Sequence, residues 1–178
     1  MSEAHRSRSW GSFSAPFIHE LADRLTGLRV LEVFAGNGLL AALLKECDVT
    51  VTATSVLSGQ DWHEHGLLHP VEKLRAREAV ERHGSQHDVL LMSWPPANEA
   101  AADAAIAWGC ERPIIFIGEI TDASRGFAGL GGCASDLFFA ITRIDREFAA
   151  YRGRGSLDRA VEMHLDAGLL GNARADAR

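Results

Sequence analysis

Leu-Arg-Val-Leu-Glu-Val-Phe-Ala-Gly-Asn-Gly-Leu-Leu-Ala-Ala-Leu-Leu-Lys-Glu-Cys, residues 28–47, decides the fold. Its first seven residues are an apolar run suited to a strand buried on both faces. Ala35 to Gly38 read as a turn, and the leucine- and alanine-rich residues 39–47 as a helix. The next segment, Val-Thr-Val-Thr-Ala-Thr-Ser at 49–55, is rich in β-branched residues and reads as a second strand. A strand, a glycine turn, a helix and a further strand make one β-α-β unit.

Working outward, the same alternation continues. Upstream, Phe17, Ile18, Leu21 and Leu25 recur at helical spacing from Ala15, and Gly27 is a stop signal. Downstream, 56–70 is irregular, and 71–74 is a short third strand. A helix is expected from Arg75 to about Gly84, a buried strand over 88–93 and an alanine-rich helix over 100–108. Residues 113–120 form another buried strand, and a glycine-rich loop spans 121–132. Residues 133–144 read as a helix, with two weaker strands near 145–151 and 159–165. Alternating strands and helices give an α/β chain with a mostly parallel sheet covered on both faces: a three-layer, Rossmann-like arrangement. The expected organisation is a flexible arm at 1–14, one domain at 15–168 and a frayed tail at 169–178.

Composition narrows the function classes. A chain of 178 residues with 47% hydrophobic residues has enough apolar material for one sizeable core. No apolar run reaches the roughly 18 residues of a membrane span. The polar start, Met1 to Trp10, has no apolar stretch behind it and does not read as a secretory signal. The net charge of −6 argues against a dedicated nucleic-acid binder, which draws on many Lys and Arg contacts to phosphate. The basic cluster Lys73, Arg75 and Arg77 is diluted by Glu72 and Glu78 and reads as a solvated face. Three dispersed cysteines without a Cys-x-x-Cys pair fit a reducing, cytoplasmic setting and speak against zinc.

Four places can carry chemistry. The first is Glu32 to Gly38. Glycines here let a ligand approach the backbone, and Glu32, at the end of the first strand, can meet an ammonium group. Gly36-x-Gly38-x-x-Ala41 also fits the weak dinucleotide fingerprint. That reading expects a carboxylate about 20 residues on, where the second strand instead ends in Thr54-Ser55. Asp61 is the nearest alternative from the following loop.

The second place is Ser93-Trp94-Pro95-Pro96, a rigid, ring-lined segment after the fourth strand and a candidate substrate wall. The plainer reading is a strand stop with a buried tryptophan. The third is Glu119 after the fifth strand, followed by Gly131-Gly132-Cys133; a carboxylate there can orient an acceptor or serve as a base, or simply tie a loop. Asp136 reads as a helix cap. The fourth is Asp61-Trp62-His63-Glu64-His65 with His69. No further ligand run supports a metal there, and His63 or His65 reads better as a general base.

Together these residues resemble the class I methyltransferases that use S-adenosylmethionine (SAM). They resemble in particular a little-characterised family of methyltransferase-like proteins from microbes and fungi. The likeness covers roughly residues 10–145: the aromatic segment Trp10 to Ala15, Glu32 to Gly38, Trp94-Pro95-Pro96, Gly118-Glu119, Gly131-Gly132-Cys133 and Phe138-Phe139. Residues 120–130 look like an insertion against that pattern.

The resemblance implies SAM as cofactor, held by Glu32, Phe34, Ala35, Gly36, Gly38, Ser55, Arg75 and Ser93. The residues themselves, read with that fold, give an acceptor facing Trp94, Pro95 and Pro96, with Glu119 and His63 as catalytic candidates and no metal; the resemblance identifies a fold and a cofactor, not a reaction. Ser55 stands where the family carries an acidic residue, and Arg75 where an Asp normally contacts the adenine amino group. In amino-group methyltransferases the residue before Pro-Pro is polar and the one after is aromatic; here they are Trp94 and Ala97, so amine methylation of a base is not supported. The expectation is methyl transfer to a small molecule, without nucleic-acid or membrane partners and with a possible homodimer. A catalytically inactive protein that keeps the fold and acts through a partner is the second reading. An NAD-linked oxidoreductase is the third.

Overall fold

The structure is a computed structural model and describes residues 13–58, 63–121 and 132–176. Residues 122–131 of the Gly-rich loop expected at 121–132, most of the N-terminal arm, and Asp61 and Trp62 lie outside the described residues.

Helix α1 runs Ala15–Leu25, strand β1 Arg29–Val33, α2 Leu39–Lys45 and β2 Thr50–Ser55. A single 3-10 turn at His63–His65 leads to β3, Val71–Lys73, then α3, Ala76–His83, and β4, Val89–Ser93. Helix α4 is Ala100–Trp108 and β5 is Ile114–Glu119. Helix α5, Asp136–Ala140, is followed by β6, Thr142–Glu147, β7, Asp158–Leu165, and α6, Ala167–Asp176.

Seven strands form one sheet in the order β3-β2-β1-β4-β5-β7-β6. Neighbours from β3 through β5 pair in parallel; β7 is antiparallel to β5 and to β6. The nucleotide-binding arrangement 3-2-1-4-5-6 lacks this antiparallel strand between the fifth and sixth positions. The α/β, mostly parallel, Rossmann-like reading of the sequence holds, and the hairpin edge is the topological detail that distinguishes the chain from a dinucleotide fold.

Strand periodicity explains the two cores. In β1, Val30 faces one layer and Leu31 and Val33 the other; in β4, Val89 and Leu91 oppose Leu90 and Met92. The first layer is closed by Phe17, Leu21 and Leu25 of α1 and Leu40 and Leu44 of α2. The second is closed by α3, the alanines and Trp108 of α4, and Phe138 of α5. With helices on both faces, the central strands are apolar at nearly every buried position, which is why they read as hydrophobic runs; Glu32 in β1 is the exception.

Helix α1 starts where Ser14 accepts a hydrogen bond from the Phe17 amide (3.4 Å), with Pro16 in the first turn, and ends ahead of Gly27 at φ +77°. Arg24 of α1 grips Glu162 of β7 through two N–H···O bonds of 2.5 and 2.7 Å, tying the first helix to the hairpin edge. At the N-terminal end of the sheet, Arg112 donates to the carbonyls of Gly84, His87 and Trp108 and lies 3.6 Å over the Trp108 ring. The opposite, C-terminal end is left for a site.

Three expectations change in the last third. The helix foreseen at 133–144 is only Asp136–Ala140. It is capped by Ser135, whose hydroxyl accepts from the Phe138 amide (3.3 Å), and stops where the Thr142 hydroxyl donates to the Phe138 carbonyl (2.8 Å). The strand foreseen at 145–151 is shifted to Thr142–Glu147, because β-branched Thr142 and Ile144 favour an extended chain and pair with β7. Phe148 and Tyr151 then turn inward and pack against Phe17. Where fraying was foreseen after Gly168, residues 167–176 are helical, since Leu170 and Ala173 find apolar contacts on the second core. Among the described residues no helix is long and apolar enough to cross a membrane.

Candidate functional site

Every parallel strand of the central sheet ends on the same edge, and a cavity of about 1350 Å³ lies there. Ligands of open α/β sheets bind at this edge, in the crevice where neighbouring crossovers run to opposite faces. Here that crevice lies between β1 and β4, which are adjacent in the sheet but whose connections depart toward β2 and β5.

The β1 end is built as follows. Glu32 is 1% exposed, and neither of its carboxylate oxygens has a hydrogen-bond partner among the described residues. Burial pushes its pKa up to about 8; the nearby Ala41 amide opposes the shift only weakly. Phe34 follows at φ +62° and Gly36 at φ +56°. The turn is pinned by the Ala35 amide donating to the Thr54 carbonyl (3.0 Å) and by the Asn37 side chain accepting from the Leu39 amide (3.2 Å).

At the β4 end Trp94 sits at φ +52°, its amide donating to the Ile117 carbonyl at 2.7 Å. Its indole Nε1 is buried without a hydrogen-bond partner among the described residues. The Pro95 carbonyl accepts from the Ala134 amide (3.3 Å), which fastens the segment before α5 onto this wall. At the β5 end, Glu119 accepts from the Gly132 amide (2.6 Å). The neighbouring Cys133 thiol is buried, its pKa pushed up to about 11 chiefly by that burial, so it is no nucleophile near neutral pH.

Eleven of the residues singled out from the sequence line this one cavity: Glu32, Phe34, Ala35, Gly36, Ser55, Arg75, Ser93, Trp94, Pro95, Pro96 and Glu119. Gly38 and His63 are not among its lining residues. Gly38 serves packing: it sits at φ +80° before α2, and a Cβ there would lie 2.9 Å from that of His69 and 3.2 Å from its backbone nitrogen. His63 lies on the 3-10 turn ahead of β3, with a buried Nδ1 that has no hydrogen-bond partner among the described residues. Asp136 lies in the first turn of α5, where its charge suits the helix dipole, but the cap read for it is supplied by Ser135.

The sequence reading missed Phe13, Lys73 and Asp103, which also line the cavity. Phe13 fell in the expected arm, although inside the aromatic segment Trp10 to Ala15 that carries part of the resemblance; Lys73 fell in a solvated basic run and Asp103 in an alanine-rich helix, where no local pattern separates them from surface residues. Among the described residues no group of three or more His, Cys, Asp or Glu side chains is arranged to hold a metal.

No protein-family model matches the sequence, and no curated protein matches it either. Solved structures do share the fold. A variant of MtNAS in complex with S-adenosylmethionine superposes with a TM-score of 0.57 at 18% identity, over 92% of this chain and 66% of that one. The mitomycin 7-O-methyltransferase MmcR gives 0.53 at 17% identity, over 84% and 53%. Human N-acetylserotonin methyltransferase in complex with SAM gives 0.53 at 10% identity, over 85% and 52%. The chain thus spans between half and two thirds of the length of these three proteins. At such identities the likeness establishes the fold: a class I methyltransferase-like α/β fold, with the seven-strand order given above.

Proposed function

We propose that the chain is a SAM-dependent methyltransferase acting on a small molecule. The observation that carries this reading is the assembly of Glu32, Ser55, Arg75, Trp94 and Glu119 from five separate segments around one cavity at the C-terminal edge of the sheet. The buried, unpartnered Glu32 fits a ligand that brings an ammonium group, and the positive φ of Gly36 fits a backbone approached closely by that ligand.

In this reading Glu32 and the turn Phe34 to Gly36 take the amino-acid end of SAM, and Ser55, Arg75 and Ser93 line the nucleoside. SAM supplies a methyl group on a sulfonium, ready for in-line displacement. Trp94, Pro95 and Pro96 form the acceptor wall and keep water out, and the chain contributes chiefly alignment. Glu119 takes the acceptor's proton, leaving its loop contact with Gly132 to do so. Several solved neighbours are named for small-molecule methylation, which favours an acceptor of that class.

A second reading is favoured by one observation. The cavity wall carries Ser55 and exposed Arg75 where carboxylates would grip a nucleoside. A protein that keeps the fold, binds SAM weakly or not at all and acts through a partner or a second copy fits this. Calorimetric titration with SAM separates the two. Micromolar binding supports the methyltransferase; absence of binding to SAM supports the non-catalytic protein.

A further inference from the structure

Glu32 is buried to 1% exposure at the cavity edge, with both carboxylate oxygens unpartnered among the described residues. Its neighbours in register are Ala53 on β2 and Leu91 on β4, and Leu40 of α2 lines the cavity beside it. The charged groups on the same cavity are Lys73 on β3, Arg75, Arg77, Glu78 and Glu81 at α3, Asp103 on α4 and Glu119 on β5. None of them shifts Glu32; burial opposes its ionisation, and the Ala41 amide, the smaller influence, acts the other way. An ionised carboxylate without partners is not sustained in such a place; it takes up a proton instead.

We propose that the empty protein holds Glu32 as a neutral carboxylic acid, and that a ligand bearing an α-ammonium group discharges it. On binding, the proton leaves Glu32 for solvent, and the new carboxylate is compensated by the ligand's ammonium, which keeps its own protons. Uptake of one ligand therefore releases one proton. This rests on the cofactor reading above and adds that binding is proton-linked, with Glu32 as the titrating group. Below the pKa of about 8, each unit of pH then changes affinity about tenfold. The ligand's own ammonium titrates near ~8, so the informative interval lies below that.

The test is calorimetry on the full chain at about pH 6 and about pH 7, in buffers of different ionisation heat, with two probes: SAM, and 5′-methylthioadenosine, which keeps the nucleoside but lacks the ammonium. The expected result is SAM affinity about tenfold higher at the upper pH, with a buffer-dependent heat equal to nearly one proton released. 5′-Methylthioadenosine should bind with neither effect. Glu32→Gln copies the neutral acid and should abolish both the pH slope and the proton release for SAM. SAM binding that is flat with pH in the wild type, or a slope that survives in Glu32→Gln, overturns the proton-linked role while leaving the cofactor reading standing. Failure of both probes to bind overturns the cofactor reading, and this inference falls with it.

Discussion

Phe34 and Trp94 occupy equivalent places: each is the first residue after its strand, each has a left-handed backbone (φ 62° and 52°), and both line the same cavity from the adjacent strands β1 and β4. Bulky side chains seldom adopt that conformation, and held there they store roughly 1–2 kcal/mol each. Glycine would avoid the strain but present no ring. Strain of this kind gathers at ligand sites, and two instances facing one cavity are consistent with rings placed for binding.

The first prediction follows from that strain. Normally Phe→Gly is worse than Phe→Ala in a folded chain. At position 34 the order should reverse, with Phe34→Gly more stable than Phe34→Ala by about 1 kcal/mol, because alanine keeps the left-handed penalty and glycine loses it. The same reversal is expected for Trp94→Gly against Trp94→Ala. Urea denaturation of the four variants measures it. Alanine variants as stable as or more stable than the glycine ones would show that the backbone at these positions relaxes without cost.

The second concerns pH and stability. The Glu32 pKa is raised by folding, from an ordinary 4.5 to about 8, so the folded state binds the proton more tightly than the unfolded one. Its contribution to stability is full below the unfolded pKa and is lost as pH climbs through the folded one. At pH ~7 the loss amounts to roughly 3 kcal/mol relative to acid conditions. Glu32→Gln should therefore be more stable than wild type near neutrality, with the gap closing toward pH ~4. Denaturant midpoints across that range check it, and parallel curves for both proteins would count against a buried neutral acid.

The third tests the clasp between Arg24 and Glu162. Removing one charge leaves the other half-desolvated with its hydrogen bonds unmade. Arg24→Ala should destabilise by about 2 kcal/mol, and Glu162→Gln by less, since the amide oxygen still accepts. Arg146, whose Nε lies 4.0 Å from Glu162, remains as a looser ion partner and limits the loss in Arg24→Ala. Thermal melts of the single and double variants give the coupling. Additive losses would mean the two side chains do not act as a pair.

How far the sequence could be read depends on whether the information is local. Residues 28–47 specified a strand, a turn and a helix because a doubly buried strand is apolar at nearly every position, Glu32 excepted, and its turn must admit positive φ at Gly36. Eleven cavity-lining residues were legible for a related reason: they lie at or just after strand ends, and strand ends share one edge. The edge hairpin was not legible. Thr142 to Glu147 carries mostly exposed charged residues and becomes a strand only by pairing with β7. Nor was the role of Gly38, whose close contact is with His69, distant in sequence. Phe13, Lys73 and Asp103 reach the cavity by folding alone.

The last prediction sets two glycines against each other. A Cβ on Gly132 would fall 2.3 Å from Glu119 Oε2, the free end of a flexible side chain, whereas one on Gly153 would fall 2.0 Å from the Cβ of Asp158. Asp158 is buried, and its Oδ2 accepts from the Arg154 and Gly155 amides at 2.7 and 2.8 Å, so it cannot step aside. Gly153→Ala should therefore cost about 2 kcal/mol or more, as overpacking does. Gly132→Ala should leave stability nearly unchanged while pushing the Glu119 carboxylate off the Gly132 amide. If Glu119 takes the acceptor's proton, displacing its carboxylate from that amide should change kcat while the fold stays intact. A Gly132→Ala variant that loses as much stability as Gly153→Ala would show instead that the loop before α5 is rigid and that Glu119 is fixed in it.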